Sequence, residues 1–160
     1  MSEFSLGSLF FQQDGYLLPR DTRDGEALSP KLSWSDVPAE TQSFVLVMES
    51  ADSYAPQVHW VLFDIPAWTR SLPEGYPRVG IRGQNDFEHQ GYEGPNPPVE
   101  QGDHRYRFLL YALGTPSLGL SAGATAEEVK EAMAAHVLGC AELRARYRSH
   151  RRAEFASAAC

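Results

Sequence analysis

Two histidines, His59 and His104, are the residues whose type and placement offer chemistry. His59 stands in Val58-His59-Trp60-Val61-Leu62-Phe63, and His104 opens His104-Arg105-Tyr106-Arg107-Phe108-Leu109-Leu110-Tyr111. An imidazole can bind a metal, take a proton as a general base or donate to an oxyanion. Both runs read as strands, in which successive side chains face opposite ways. His59 is therefore expected to share a face with Val61 and Phe63, and His104 with Tyr106, Phe108 and Leu110. Each ring would sit at the end of an apolar stripe, where a core face meets a rim. A loop of Gly and Pro lies just before the second run. This pattern predicts a small polar pocket at the edge of a β core.

Several chemistries fit such a pocket. Metal binding would need His59, His104 and a carboxylate such as Asp52, with an open position, but no HExxH-type spacing selects them. Nucleophilic catalysis lacks a Gly-x-Ser-x-Gly elbow, and nothing in the spacing picks out one serine as a histidine's partner. Anion recognition needs only donors. Histidine and tyrosine side chains can supply them, and a loop of Gly and Pro lets backbone N–H groups come close. His59, His104, Tyr106 and Gly94-Pro95-Asn96-Pro97-Pro98 would make such a site for phosphate, sulfate or carboxylate. Either histidine taken alone reads first as a buried ring bonded to one backbone carbonyl, and the case for a site rests on both occupying the same strand position.

The surrounding elements must hold these residues. Residues 1–28 read as short strands and turns, with Asp14-Gly15 and Asp24-Gly25 as turn signals. Ser29 to Trp34 reads as a short strand. Phe44 to Glu49 is apolar on both faces, as a strand buried inside a sandwich would be. Residues 66–103 are dense in Gly and Pro, and a loop of that length is usually functional or disordered. Its aromatics (Trp68, Tyr76, Phe87 and Tyr92) predict an ordered one. Thr125 and Glu128 form a capping-box pair. Val129, Met133, Val137, Cys140, Leu143 and Tyr147 recur at spacings of three and four, which predicts a C-terminal helix with one apolar stripe. The fold class expected is mainly β with that helix against one side.

The chain has 160 residues, enough for a single domain over 1–160 with a sizeable core. Its formal net charge of −7 argues against a nucleic-acid partner. Arg144, Arg146, Arg148, Arg151 and Arg152 are expected on a solvated helix end with favourable dipole placement. No apolar run approaches the roughly 20 residues of a membrane span, and no secretory signal is visible, so the cytoplasm is the expected compartment. Cys140 and Cys160 show no disulfide framework and no CxxC.

The ordered series Leu28-Ser29-Pro30-Lys31-Leu32-Ser33-Trp34, Val37-Pro38-Ala39, Ala55-Pro56, Val58-His59-Trp60 and Asp64-Ile65-Pro66 resembles the phosphatidylethanolamine-binding protein family, in its bacterial and archaeal Raf-kinase-inhibitor-like branch. Gly91-Tyr92-Glu93-Gly94-Pro95-Asn96-Pro97-Pro98, His104-Arg105-Tyr106-Arg107-Phe108 and Ala112-Leu113 continue the resemblance. His136-Val137-Leu138, Ala141-Glu142-Leu143 and Tyr147 carry it to the end. The resemblance implies a sandwich of two antiparallel sheets with a C-terminal helix. It also implies an anion pocket at one end that accepts phosphate-like groups, phospholipid head groups included. By position, Asp52, His59, Gly94, Pro95, His104 and Tyr106 match the family's pocket residues. The loop Glu49-Ser50-Ala51-Asp52-Ser53-Tyr54-Ala55-Pro56 departs from the family pattern. Ser50 stands at the first aspartate's place, or its role passes to Glu49, and Asn96 stands where many bacterial members carry cysteine. Glu49, Ser50 and Tyr54 are expected at the rim, and Ala55-Pro56 is expected to be cis.

The expectation is a non-enzymatic binding domain, without cofactor or metal, for a small anionic or phosphorylated ligand. His59 and His104 would donate to the anion, the Gly94 loop would offer N–H groups and Tyr106 would complete one wall. Asp52 would orient a histidine or accept from a head-group amine. The alternatives are an interaction protein that inhibits a kinase or protease, with an inherited pocket, and a histidine-dependent ester hydrolase. Homodimerisation is expected by analogy with bacterial relatives.

Overall fold

A computed structural model of the chain describes residues 3–51, 56–98 and 102–149. The central layer is a six-stranded sheet. It contains β2 (Gly15–Tyr16), β4 (Ser43–Ser50), β5 (Val58–Pro66), β7 (Ile81–Arg82), β8 (His104–Leu113) and β9 (Val137–Tyr147). Their order is β2-β9-β8-β4-β5-β7, antiparallel throughout except that β2 runs parallel to β9. A second, three-stranded antiparallel sheet has the order β1-β3-β6, from β1 (Ser5–Gly7), β3 (Leu32–Ser35) and β6 (Ser71–Leu72). Among the described residues one α-helix, α1 (Ala126–Met133), lies near the C-terminus.

β4 is apolar on both faces because both faces are covered. Phe44, Leu46 and Met48 join Leu32, Trp34 and Leu72 of the small sheet in one core cluster. Val45 and Val47 join Val129 and Met133 of α1 in another. Burying such side chains fully stabilises the fold by about 1.5–3 kcal/mol each.

Two bulges interrupt the β4–β5 pairing. Met48 pairs with Trp60 but Glu49 pairs with Val58, which leaves His59 as the extra residue. Val58 and Val61 therefore both face the α1 side, while Trp60 faces the small sheet. His59 turns away from Val61 and Phe63, contrary to simple alternation, and its ring meets Tyr106. At the second bulge Asp64 adopts φ 52°, and its carboxylate accepts from the Ser117 hydroxyl at 2.7 Å and the Leu118 N–H at 3.0 Å.

The helix begins where the capping box places it. The Thr125 hydroxyl accepts from the Glu128 N–H at 3.2 Å, and the Glu128 carboxylate accepts from the Thr125 N–H at 2.9 Å. It stops at Met133, however, and residues 137–147 form β9 rather than a continued helix. From Ala141 onward the period is two. Ala141, Leu143, Ala145 and Tyr147 are buried, while Glu142 and Arg144 are exposed and Arg146 half-exposed. Cys140 is exposed instead of lying on a helix's apolar side. Nor do the arginines mark a helix end. Arg144 pairs with Asp14 (Nε–Oδ1 2.9 Å), and Arg146 and Arg148 with Asp103 (3.6 and 3.0 Å). Arg151 and Arg152 lie outside the described residues.

Candidate binding pocket

The ends of β4, β5 and β8 meet at one edge of the large sheet. Ser50 pairs with Tyr106 across β4 and β8, and the Ser50 N–H donates to the Gln57 carbonyl at 2.9 Å. The bulge turns His59 toward this end. His104 occupies the first position of β8, with Tyr106 on the same face. The His59 and Tyr106 rings meet edge to face, centroids 5.5 Å apart at 88°.

The long Gly- and Pro-rich segment is ordered by its own polar side chains. Buried Asn85 accepts from the N–H groups of Phe87 (2.9 Å) and His89 (3.1 Å) and donates to the Gly91 carbonyl at 3.0 Å. Asp86 accepts from the Val58 N–H at 2.7 Å and returns its own N–H to the Val58 carbonyl at 2.9 Å. This fold of the loop sets Phe87 against His59, centroids 5.0 Å apart.

Glu93 locks the same histidine. Its N–H donates to the His59 carbonyl at 2.8 Å, and its carbonyl accepts from His59 Nδ1 at 2.8 Å. The Glu93 carboxylate accepts from Arg23 Nη1 at 2.7 Å and lies 3.1 Å from His89 Nδ1. Burial pushes the His59 pKa below its ordinary value, against the opposing pull of the Glu93 carbonyl and the Glu93 and Asp86 charges.

Behind the loop runs the segment 19–29. The Arg23 N–H donates to the Pro95 carbonyl at 2.9 Å, and Tyr92 Oη donates to the Asp21 carbonyl at 2.5 Å. Gly94 packs so closely on this segment that a Cβ there would sit 3.2 Å from the Thr22 backbone. The Asp21 carboxyl is fully buried, and neither oxygen has a hydrogen-bond partner. Burial, followed by its Glu74 neighbour, pushes its pKa up to about 8, so at neutral pH it holds a proton. Glu74 in turn accepts from Arg20 Nε at 2.7 Å.

The result is a cavity of about 550 Å³. It brings together Ser50, His59, Gly94, His104 and Tyr106 from the residues picked out in the sequence. Pro95 is buried behind the wall with its carbonyl turned to Arg23. Glu49 is not at the rim. It points to the opposite face, where it is buried between Arg107 (Nε–Oε1 2.7 Å) and Lys130 (3.7 Å). Asp52, Tyr54 and the Ala55–Pro56 bond lie outside the described residues. Sequence reasoning missed Arg23, Phe87 and Glu93, which also line the cavity. The Asn-Asp pair at 85–86 was the signal available for Phe87, since these residues bond to nearby backbone and fix turns. Nothing local marks Arg23, which arrives from a segment 70 positions away from its Glu93 partner.

Among the described residues, no three His, Cys, Asp or Glu side chains converge to hold a metal ion. No helix among them is long and apolar enough to cross a membrane.

Comparison with known proteins agrees with this architecture. A UPF0098 protein of Aquifex aeolicus is 44% identical over 128 residues, 76% of this chain and 75% of its own length. One of Methanothermobacter thermautotrophicus is 44% identical over 145 residues, 86% of this chain and 94% of its own. The crystal structure of a phosphatidylethanolamine-binding protein homolog of Chlamydia trachomatis superimposes with a TM-score of 0.87 at 32% identity. It covers 93% of this chain and 99% of that one. The family model described as phosphatidylethanolamine-binding protein matches residues 9–148. With that match spanning the sheets, the helix and the cavity, the chain belongs to the phosphatidylethanolamine-binding protein family.

Proposed function

We propose that the protein is a non-enzymatic binding domain for a small oxyanion, of the phosphate or phosphomonoester class, held in the cavity between His59 and His104. The observation that carries the reading is the convergence of separate elements on one cavity. The bulge of β5, the start of β8, the Gly94 loop and the 19–29 segment meet there, with imidazole, phenol and guanidinium groups on its wall. His104 and Tyr106 have the donors an anion needs, and the guanidinium of Arg23, paired with Glu93, lies on the wall beside them. A head group on a lipid and a free phosphorylated metabolite share this chemistry.

Titration calorimetry with inorganic phosphate tests it. Binding is expected for the wild-type chain, with a loss of about tenfold in His104→Ala, as for removal of a charge-assisted hydrogen bond. No measurable heat with phosphate, or unchanged affinity in His104→Ala, would sink the proposal.

A second reading has its own observation. Trp68 is 73% exposed and Tyr76 62% exposed, both on the loop region after β5. Tryptophan and tyrosine at such places anchor protein interfaces. A protein partner, of the kinase or protease kind, would be captured by wild type and by His59→Ala but lost in Trp68→Ser. Capture that depends on His59 and ignores Trp68 would refute it.

A further inference from the structure

The hydrogen bonding of His59 limits what the ring can offer a ligand. Nδ1 lies 2.8 Å from the Glu93 carbonyl oxygen. A carbonyl only accepts, so Nδ1 carries the proton. The Glu93 N–H closes the clamp on the His59 carbonyl at 2.8 Å, and Phe87 and Tyr106 hold the ring, centroids 5.0 and 5.5 Å away. Rotating the ring would break the bond and drive carbon against the carbonyl. Nε2 has no hydrogen-bond partner among the described residues. The residue is 5% exposed. Burial holds the ring neutral at physiological pH. In the neutral ring with Nδ1 protonated, Nε2 is a lone pair and nothing else.

We infer that His59 serves this cavity as a hydrogen-bond acceptor, so that the site selects oxyanions in a form that still carries a proton, hydrogen phosphate or the monoanion of a phosphomonoester, over sulfate and phosphodiesters. This rests on the oxyanion reading of the cavity and names the ligand class within it. A P–OH group donates to Nε2. Sulfate at neutral pH has no hydrogen to give, and neither has a phosphodiester such as the head group of an intact phospholipid. Either would set its own lone pairs against that of Nε2. The charges around the ring agree. Asp86 and Glu93 of the loop are acidic, and the guanidinium of Arg23 is paired with Glu93. Beyond these, His104 and Tyr106 of β8 are the titratable groups on the wall. The site therefore has little excess positive charge for a bare dianion.

The test compares inorganic phosphate, glycerol phosphate, sulfate and dimethyl phosphate by calorimetry at pH 7.5, with wild type and His59→Gln. A buried acceptor left without a donor costs enough for about a tenfold or greater preference. Wild type is expected to bind phosphate at least that much more tightly than sulfate and dimethyl phosphate, and to bind glycerol phosphate, mostly a proton-free dianion at pH 7.5, more tightly as the pH is lowered toward 6. In His59→Gln the amide can donate or accept, and the preference is expected to fall to about threefold or less. If that variant misfolds, long-range proton–nitrogen spectra of the wild-type imidazole read the tautomer directly, and a protonated Nε2 at pH 7.5 overturns the inference. Equal affinity for phosphate and sulfate also overturns it while leaving the oxyanion reading intact. If none of the anions binds, both fall together. A preference for dimethyl phosphate over inorganic phosphate would turn the site toward lipid head groups and away from this inference.

Discussion

Replacing Asp21 with asparagine should stabilise the protein, and by an amount that grows with pH. Asp21 is fully buried beside Glu74, its pKa pushed up to about 8. In the unfolded chain an aspartate titrates near 3.9. Between those two values the native state holds a proton that the unfolded state has released. Stability therefore falls as pH rises through that window, and levels off once the native group also ionises. One pKa unit is worth about 1.4 kcal/mol, so at pH 7 the burden is at most about 4 kcal/mol. Asparagine keeps the shape and cannot ionise. The stability of Asp21→Asn minus that of wild type should then rise by about 1.4 kcal/mol per pH unit, or about 2.7 kcal/mol from pH 5 to pH 7. Urea denaturation at pH 5, 6, 7 and 8 measures it. Subtraction at each pH removes the other titrating groups, including His59, whose lowered pKa costs stability in acid as the unfolded ring takes a proton. A difference that stays constant from pH 5 to pH 8 would refute the reasoning, because it would mean that Asp21 is ionised in the native state.

Two further perturbations probe the elements. Thr125→Ala removes the hydroxyl that accepts from the Glu128 N–H at the start of α1 and should cost about 1 kcal/mol. For a chain of this size that is a fall in Tm of about 2–4 °C in a thermal scan, and an unchanged Tm would mean the cap is not formed. Residues 141–147 can be read by labelling. In a Cys160→Ser background Cys140 is exposed and should react with maleimide in the folded protein, slowed because burial and the Glu142 charge raise its thiol pKa. In the same background Leu143→Ala should cost about 2–5 kcal/mol. A fully protected Cys140 with a neutral Leu143→Ala would contradict the β9 register.

The error over residues 137–147 has a physical source. Val137, Cys140, Leu143 and Tyr147 satisfy a helical period, while Ala141, Leu143, Ala145 and Tyr147 satisfy a strand's. Residues three or four apart and residues two apart share Leu143 and Tyr147, so the larger apolar side chains do not arbitrate. The small ones do, since Ala141 and Ala145 lie within the alternation and outside the helical stripe. What settles the matter is β8, which offers an unpaired edge along its whole length and pairs from His104 opposite Tyr147 to Leu113 opposite Val137. Glu49 shows the same limit. Its parity along β4 sends it to the face of Arg107 and Lys130, whatever loop it precedes.

Local pattern by itself determined a great deal. It specified the doubly apolar β4, the start of the helix at Thr125, the strand that His104 opens, and the motif series that marks the family. These depend on side-chain period, capping chemistry and turn residues, all of which act over a few positions. Tertiary structure alone decided the pocket's chemistry. Strict alternation sends His59 to the wrong face, and only the bulge against β4 turns it toward Tyr106. Glu93, 34 residues away, then fixes which nitrogen keeps the proton. Arg23, 70 positions from Glu93 in the sequence, neutralises it. A hydrogen bond reads distance in space and is blind to distance in sequence. The histidines could therefore be found in the sequence, but whether His59 gives or takes a proton's bond could not.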